Sequence, residues 1–139
     1  MTDDIEREAS CVCGALRVRT RGEPKLVSSC CCTACQRRTG SFFGVTCFFA
    51  NEQISDISGP DTVFRRRGDS GRELTHHFCS NCGTTLYWTR EGQPGLTSVA
   101  GGAFADPGLP GPERMVWTEN RHPWICTPDG LPQFPQSPP

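Results

Sequence analysis

Eight of the ten cysteines fall in three groups, Cys11-Val12-Cys13-Gly14, Cys30-Cys31-Cys32-Thr33-Ala34-Cys35 and Cys79-Ser80-Asn81-Cys82-Gly83. Thiolates at these spacings are metal ligands. A C-x-x-C turn sets two sulfurs about 3.5 to 4 Å apart, the edge of a zinc tetrahedron with bonds of about 2.3 Å. The glycine that follows lets such a turn take a positive φ. A C-x-C pair on an extended strand presents both sulfurs on one side, because side chains repeat every second residue. Two such pairs far apart in sequence can close one four-thiolate site, stitching the start of the chain to its middle.

The central group has another character. Cys30, Cys32 and Cys35 combine a strand-like with a turn-like spacing and offer three convergent sulfurs, while Cys31 points the other way. Three protein ligands with a free fourth position is the pattern of a catalytic zinc, whereas a closed set of four is structural. Closure by Cys31 or by a distant residue would make this site structural too. Spacing alone does not assign the pairs, since Cys11 and Cys13 could share an ion with Cys32 and Cys35. Cys47, inside the apolar run Phe42–Phe49, reads as a small buried hydrophobe, and Cys126 has no assignment.

Thiols serve as ligands only where they stay reduced. The start, Met1 to Glu8, is acidic and lacks the basic, apolar pattern of a secretory signal, and no run approaches the roughly 18 apolar residues of a membrane span. The expected location is the cytoplasm, with no membrane partner. Fourteen Lys and Arg against 15 Asp and Glu give a net charge of -1, which provides no field for steering toward nucleic acid. The runs Arg37-Arg38 and Arg65-Arg66-Arg67 read first as solvated charge.

The elements that must position these groups are mostly strands. Only 35% of the 139 residues are hydrophobic, while glycine (15) and proline (12) are abundant, so turns dominate and long helices are few. Leu16, Val18 and Thr20 alternate with Arg17, Arg19 and Arg21, the period of a half-buried strand. Further strands are expected at Phe42–Phe49, Thr62–Arg67, Glu73–Phe78, Thr84–Thr89, Leu96–Ala100 and Arg114–Trp117, with turn signals spaced as in antiparallel meanders. One short helix is expected at Thr33–Thr39, ended by Gly40. The organisation expected is a flexible N-terminus over 1–9, a single zinc-binding domain over 10–135 and a tail over 136–139; residues 1–10 are polar and expected to fray.

The ordered motifs C-x-C-G, C-x-C-x-x-C followed by Arg and Gly, and F-C-x-x-C-G-T resemble those of the glutathione-dependent formaldehyde-activating enzymes and the related centromere protein V domain. Here they read Cys11-Val12-Cys13-Gly14-Ala15, Cys30 to Gly40, and Phe78-Cys79-Ser80-Asn81-Cys82-Gly83-Thr84. Arg121-His122-Pro123-Trp124 and Asp129-Gly130-Leu131-Pro132-Gln133-Phe134 also resemble that family's C-terminal signature. The resemblance implies a β-tent zinc fold of antiparallel sheets with two zinc ions. One is structural, held by Cys11, Cys13, Cys79 and Cys82; the other is catalytic, held by Cys30, Cys32 and Cys35. Family members often carry His where this chain has Cys31, which leaves room for another coordination or an oxidation-sensitive thiol.

Three thiolates around a divalent zinc leave the site net negative and poor at ionising water, but zinc coordination deprotonates an incoming thiol at neutral pH. The activity that the resemblance implies is therefore of carbon-sulfur lyase type: addition of a thiol such as glutathione to formaldehyde or a similar small aldehyde, and its reversal. Arg37 and Arg38 are candidates for binding the carboxylates of a peptide thiol. His76, His77 and His122 are expected in surface or hydrogen-bonded structural roles rather than as ligands or proton carriers, and Trp117 and Trp124 are expected to fill the core rather than wall a pocket. The rival readings are a non-catalytic zinc-stabilised binding module and a redox sensor built on the central thiols.

Overall fold

The computed structural model describes residues 5–138. Ten strands and one α-helix follow in chain order: β1 (Glu6–Ser10), β2 (Arg17–Arg21), β3 (Leu26–Cys30), α1 (Thr33–Thr39), β4 (Gly44–Ala50), β5 (Ile54–Ser58), β6 (Asp61–Arg67), β7 (Glu73–Cys79), β8 (Thr85–Arg90), β9 (Leu96–Ala100) and β10 (Arg114–Val116). They form a three-stranded sheet, β1-β2-β5, and a seven-stranded sheet, β10-β3-β4-β9-β8-β7-β6. The expected mostly-β architecture with one helix after the central cysteines is what the chain adopts.

The alternation in β2 sends Leu16, Val18 and Thr20 fully into the interior and leaves its arginines outside. The polar stretch before it contains β1, which pairs with β2 by setting Glu8 against Arg19 and Glu6 against Arg21. Ala9 is its buried contribution. Opposite charges across a strand pair are worth a few tenths of a kcal/mol each, so a strand with little apolar surface is held at the rim. Between the sheets lies a core built on Leu16, Val18, Val27, Cys47, Phe49, Leu86 and Val99. Cys47 is completely buried there, as expected of a small apolar side chain.

One strand pairing departs from the antiparallel pattern. β10 lies parallel to β3, with Arg114 opposite Ser28 and Val116 opposite Cys30. The residues that follow return to cover it: the Met115 amide donates to Pro132 O at 2.9 Å, the Phe134 amide to Met115 O at 2.9 Å and the Trp117 amide to Gln136 O at 3.3 Å. The proline-rich end, through residue 138, therefore lies on the domain; Pro139 is outside the described residues. No helix among the described residues is long and apolar enough to cross a membrane.

Candidate metal centres and the cavity beside them

The first constellation joins two distant turns. Cys11 and Cys13 lie between β1 and β2, while Cys79 ends β7 and Cys82 sits in the turn to β8. Their four sulfurs lie within 4.8 Å of one another. Cys11 Sγ is 3.6 Å from Cys13 Sγ, and Cys13 Sγ is 3.7 Å from Cys79 Sγ, against an edge of about 3.8 Å for a tetrahedron with 2.3 Å bonds. An all-sulfur set at that spacing fits a tetrahedral zinc. Gly14 and Gly83, just after each pair, adopt φ of 80° and 83°, the turns foreseen from the motif.

Donors surround these sulfurs. The Leu16 amide donates to Cys11 Sγ at 3.2 Å, the Asn81 amide to Cys79 Sγ at 3.4 Å, and Asn81 Nδ2 to Cys13 Sγ at 3.3 Å. Thr84 Oγ1 lies 3.3 Å from Cys82 Sγ, and it also accepts from the Val12 amide across the two turns. That hydroxyl is the first cause pulling the Cys82 thiol down to about 5. Hydrogen bonds to sulfur favour the charged form; the Cys11 thiol is lowered as well, while that of Cys79 is raised, so the thiolate is favoured at Cys11 and Cys82.

The second constellation is compact in sequence. Cys30 ends β3, Cys32 caps α1 and Cys35 lies in its first turn, and their sulfurs also lie within 4.8 Å of one another. Cys32 Sγ accepts from the Cys35 amide at 3.3 Å, doing the work of a polar N-cap side chain. Gly40 closes the helix with φ of 73°, its amide donating to Gln36 O at 2.8 Å. No fourth His, Cys, Asp or Glu joins the three sulfurs among the described residues. Hydrogen bonds from Cys30 and then Cys32, with the nearby Arg38 charge, hold the Cys35 thiol down to about 2.

Cys31 is turned away, as its place between two inward-facing neighbours requires. It is fully buried against Met115 and Ile125, and its amide donates to Val116 O at 3.0 Å. The alternative coordination and the exposed, oxidation-prone thiol are both excluded for Cys31 by this placement.

A cavity of about 110 Å³ opens beside the three sulfurs and is lined by residues from strands far apart in the chain. Arg38, Arg66, Arg90 and Arg114 all face it, with His76, Trp88 and Trp117. The Arg38 guanidinium stacks on Trp88, 4.3 Å from the ring centroid. A Cβ on Gly44 would stand 2.6 Å from Arg38 Nη2, so glycine at that position makes room for the stack. His76, 5% exposed, receives a hydrogen bond at Nε2 from Arg66 Nε at 3.3 Å. An arginine can only donate, so Nε2 accepts and the proton of the neutral ring sits on Nδ1. Burial, then the charges of Arg66 and Arg38, lowers the His76 pKa to about 4.

Trp117 adopts φ of 57°, a conformation that costs a non-glycine residue on the order of 1 kcal/mol. Its backbone bond to Gln136 and that of Thr118 to Phe134 hold it there, and the indole forms part of the cavity wall. The expectation that Trp117 and Trp124 fill the core is therefore corrected: Trp124 is 63% exposed, edge-on to Phe42 at 5.2 Å. The three histidines are hydrogen-bonded as expected, His122 to Gln36 Oε1 and His77 to Asp61.

The two arginines singled out in the sequence separate. Arg38 enters the cavity; Arg37 is exposed on a shallower groove beside Phe64 and Phe78. In the run Arg65-Arg66-Arg67, expected to be solvated, the middle residue turns inward, because β6 alternates and only Arg66 is half-buried there. Arg90, Arg114, Trp88 and His76 carry no local motif; the sheet, not the sequence, brings them to the sulfurs.

A family model described as glutathione-dependent formaldehyde-activating enzyme matches residues 6–120. An uncharacterised lyase of Schizosaccharomyces pombe is 32% identical over 83 residues, 60% of this chain and 57% of that protein, so the chain spans a little over half of that relative's length. A crystal structure of a Rhodobacter sphaeroides protein superposes with a TM-score of 0.51 at 20% identity, covering 74% of this chain and 90% of the other. That likeness concerns the fold alone.

Proposed function

We propose, from the premise that this chain belongs to the glutathione-dependent formaldehyde-activating family, that it is a zinc-dependent carbon-sulfur lyase joining a thiol such as glutathione to formaldehyde or a similar small aldehyde, and releasing it again. The observation that carries the reading is the convergence of Cys30, Cys32 and Cys35 on a cavity with no fourth ligand of their own among the described residues. Cys11, Cys13, Cys79 and Cys82 would hold a structural zinc, and the three-sulfur set a second one. Zinc at the second site supplies a positive centre that keeps an incoming thiol deprotonated at neutral pH.

The chain's own groups do the rest. In the forward direction the substrate sulfur attacks the carbonyl carbon, a C–S bond forms, and the π pair of C=O moves to oxygen, which takes a proton to give the hydroxymethyl thioether. Arg38, fixed by Trp88, keeps positive charge beside Cys35. His76 carries its proton on Nδ1 within the buried wall of the cavity, where among the described residues that atom has no hydrogen-bond partner. Trp88 and Trp117 narrow the cavity around the reacting pair. The expected setting is the reducing cytoplasm, where all ten cysteines stay free of disulfides.

The test is metal analysis of the purified protein together with formaldehyde consumption in the presence of glutathione, measured above the uncatalysed background. Two zinc ions per chain and consumption abolished by Cys35→Ser are expected. Consumption equal to background with both ions bound would overturn the reading.

A further inference from the structure

The cavity beside the three sulfurs carries more positive charge than metal binding requires. Four guanidinium groups line it, and among the described residues none of them lies within 4.0 Å of a carboxylate oxygen; the ion pairs among those residues are made by Arg7, Arg19, Arg21 and His77. The lining contains one acidic residue, Asp69. With three thiolates, a divalent ion and Asp69 all counted, an excess of two positive charges remains.

Three of the four guanidiniums already have a protein partner. Arg38 is stacked on Trp88 next to Cys35, and Arg66 donates to His76. Arg114 spends only Nε, donating to Ser28 Oγ at 3.1 Å. Arg90 packs its guanidinium 5.7 Å from the Phe48 ring centroid, and among the described residues its buried Nε has no hydrogen-bond partner. A charged donor left unpaired away from water costs stability, and a ligand oxygen at this guanidinium offsets that cost. Arginine's planar fork matches a carboxylate with two parallel hydrogen bonds.

Size narrows the class. About 110 Å³ beside the sulfurs takes a few-carbon chain and not a tripeptide, whose remaining parts would lie outside. We propose that the thiol partner is a short mercaptocarboxylate, with its sulfur toward Cys30, Cys32 and Cys35 and its carboxylate between Arg90 and Arg114. This rests on the thiol-aldehyde reading above and names the thiol.

The protein loaded with Co(II), whose thiolate charge-transfer bands respond when a thiol approaches, is titrated with 3-mercaptopropionate, with its neutral isostere 3-mercaptopropionamide and with glutathione. The acid is expected to bind at least about tenfold tighter than the amide, the worth of a charge-assisted hydrogen-bond pair, and at least as tightly as glutathione. In Arg90→Met, which keeps an apolar stem against Phe48, the acid-to-amide ratio should fall to within about threefold; Arg114→Met provides the same test if the first variant does not fold. Equal binding of acid and amide overturns the proposal while leaving the thiol reading intact, as does discrimination that survives in both variants. Glutathione binding more than tenfold tighter than the acid also overturns it. If none of the three thiols moves the bands, the thiol reading itself falls, and this proposal with it.

Discussion

The two sulfur clusters use the same ligand chemistry in opposite surroundings. The four-sulfur set ties the β1–β2 turn to the β7–β8 turn, is satisfied by backbone amides, Asn81 and Thr84, and completes a tetrahedron by itself. The three-sulfur set lies within six residues at the start of α1, spans no distant elements, and faces a cavity walled by arginines from β6, β8 and β10. Ligands that close a long loop do structural work, and ligands that stop one short leave a position for chemistry.

Breaking the first cluster should have the largest effect. Cys82→Ser removes one corner of the site which, on the proposed reading, holds a structural zinc, and such an ion contributes folding free energy directly, on the order of 10 kcal/mol. The expected result in a thermal melt followed by circular dichroism is loss of the cooperative transition; an unchanged melting temperature would reject the division of labour. Cys35→Ser should act on the other side of the comparison, lowering zinc content by one ion per chain and turnover by at least about a hundredfold, while the melt shifts by only a few degrees.

Gly44→Ala sharpens the contrast without touching a ligand. The new Cβ would meet Arg38 Nη2 at 2.6 Å, so the guanidinium must shift from its seat on Trp88. Both ions should remain, and turnover should drop by about tenfold, the scale of one lost charge-assisted contact. Turnover unchanged in this variant would show that Arg38 is a bystander.

The smallest effect concerns pH. His76 is held neutral by burial, with a pKa lowered to about 4, whereas the unfolded chain protonates near 6.5. Between those values the unfolded state binds more protons, so stability falls as pH is lowered from 6.5 toward 4. Denaturant titrations of wild type and His76→Gln across that window should show a shallower acid limb in the variant; parallel limbs would count against a neutral His76.

Much of this was legible in the sequence because cysteine spacing and period-two alternation are local signals. The helix at Thr33–Thr39, the strand at Leu96–Ala100 and the three-sulfur cluster follow from neighbours within a few residues, whereas the meeting of Cys11 and Cys13 with Cys79 and Cys82 came from the family resemblance, spacing alone having left that pairing open. What was not legible depends on pairing. β1 hides because its partner supplies opposite charge rather than apolar contact, and β3 because its buried serines are satisfied by Arg114, whose carbonyl accepts from Ser29 Oγ at 3.0 Å. The parallel placement of β10, and with it the arginine wall, has no signature along the chain. Trp117 misled for the same reason, since only the returning residues near 134 and 136 fix where its ring points.

The register of β10 against β3 has a consequence for the order in which this molecule is put together. Ser28 and Arg114 meet across 86 positions, so during synthesis the compact thiol motif emerges long before Arg90 or Arg114 exists to flank it. A nascent chain of sixty residues already holds Cys30, Cys32 and Cys35 but only half of the other set. The short motif is complete along the chain before its binding chamber can form, and the long-range sulfur clasp can engage only after Cys82 has left the ribosome.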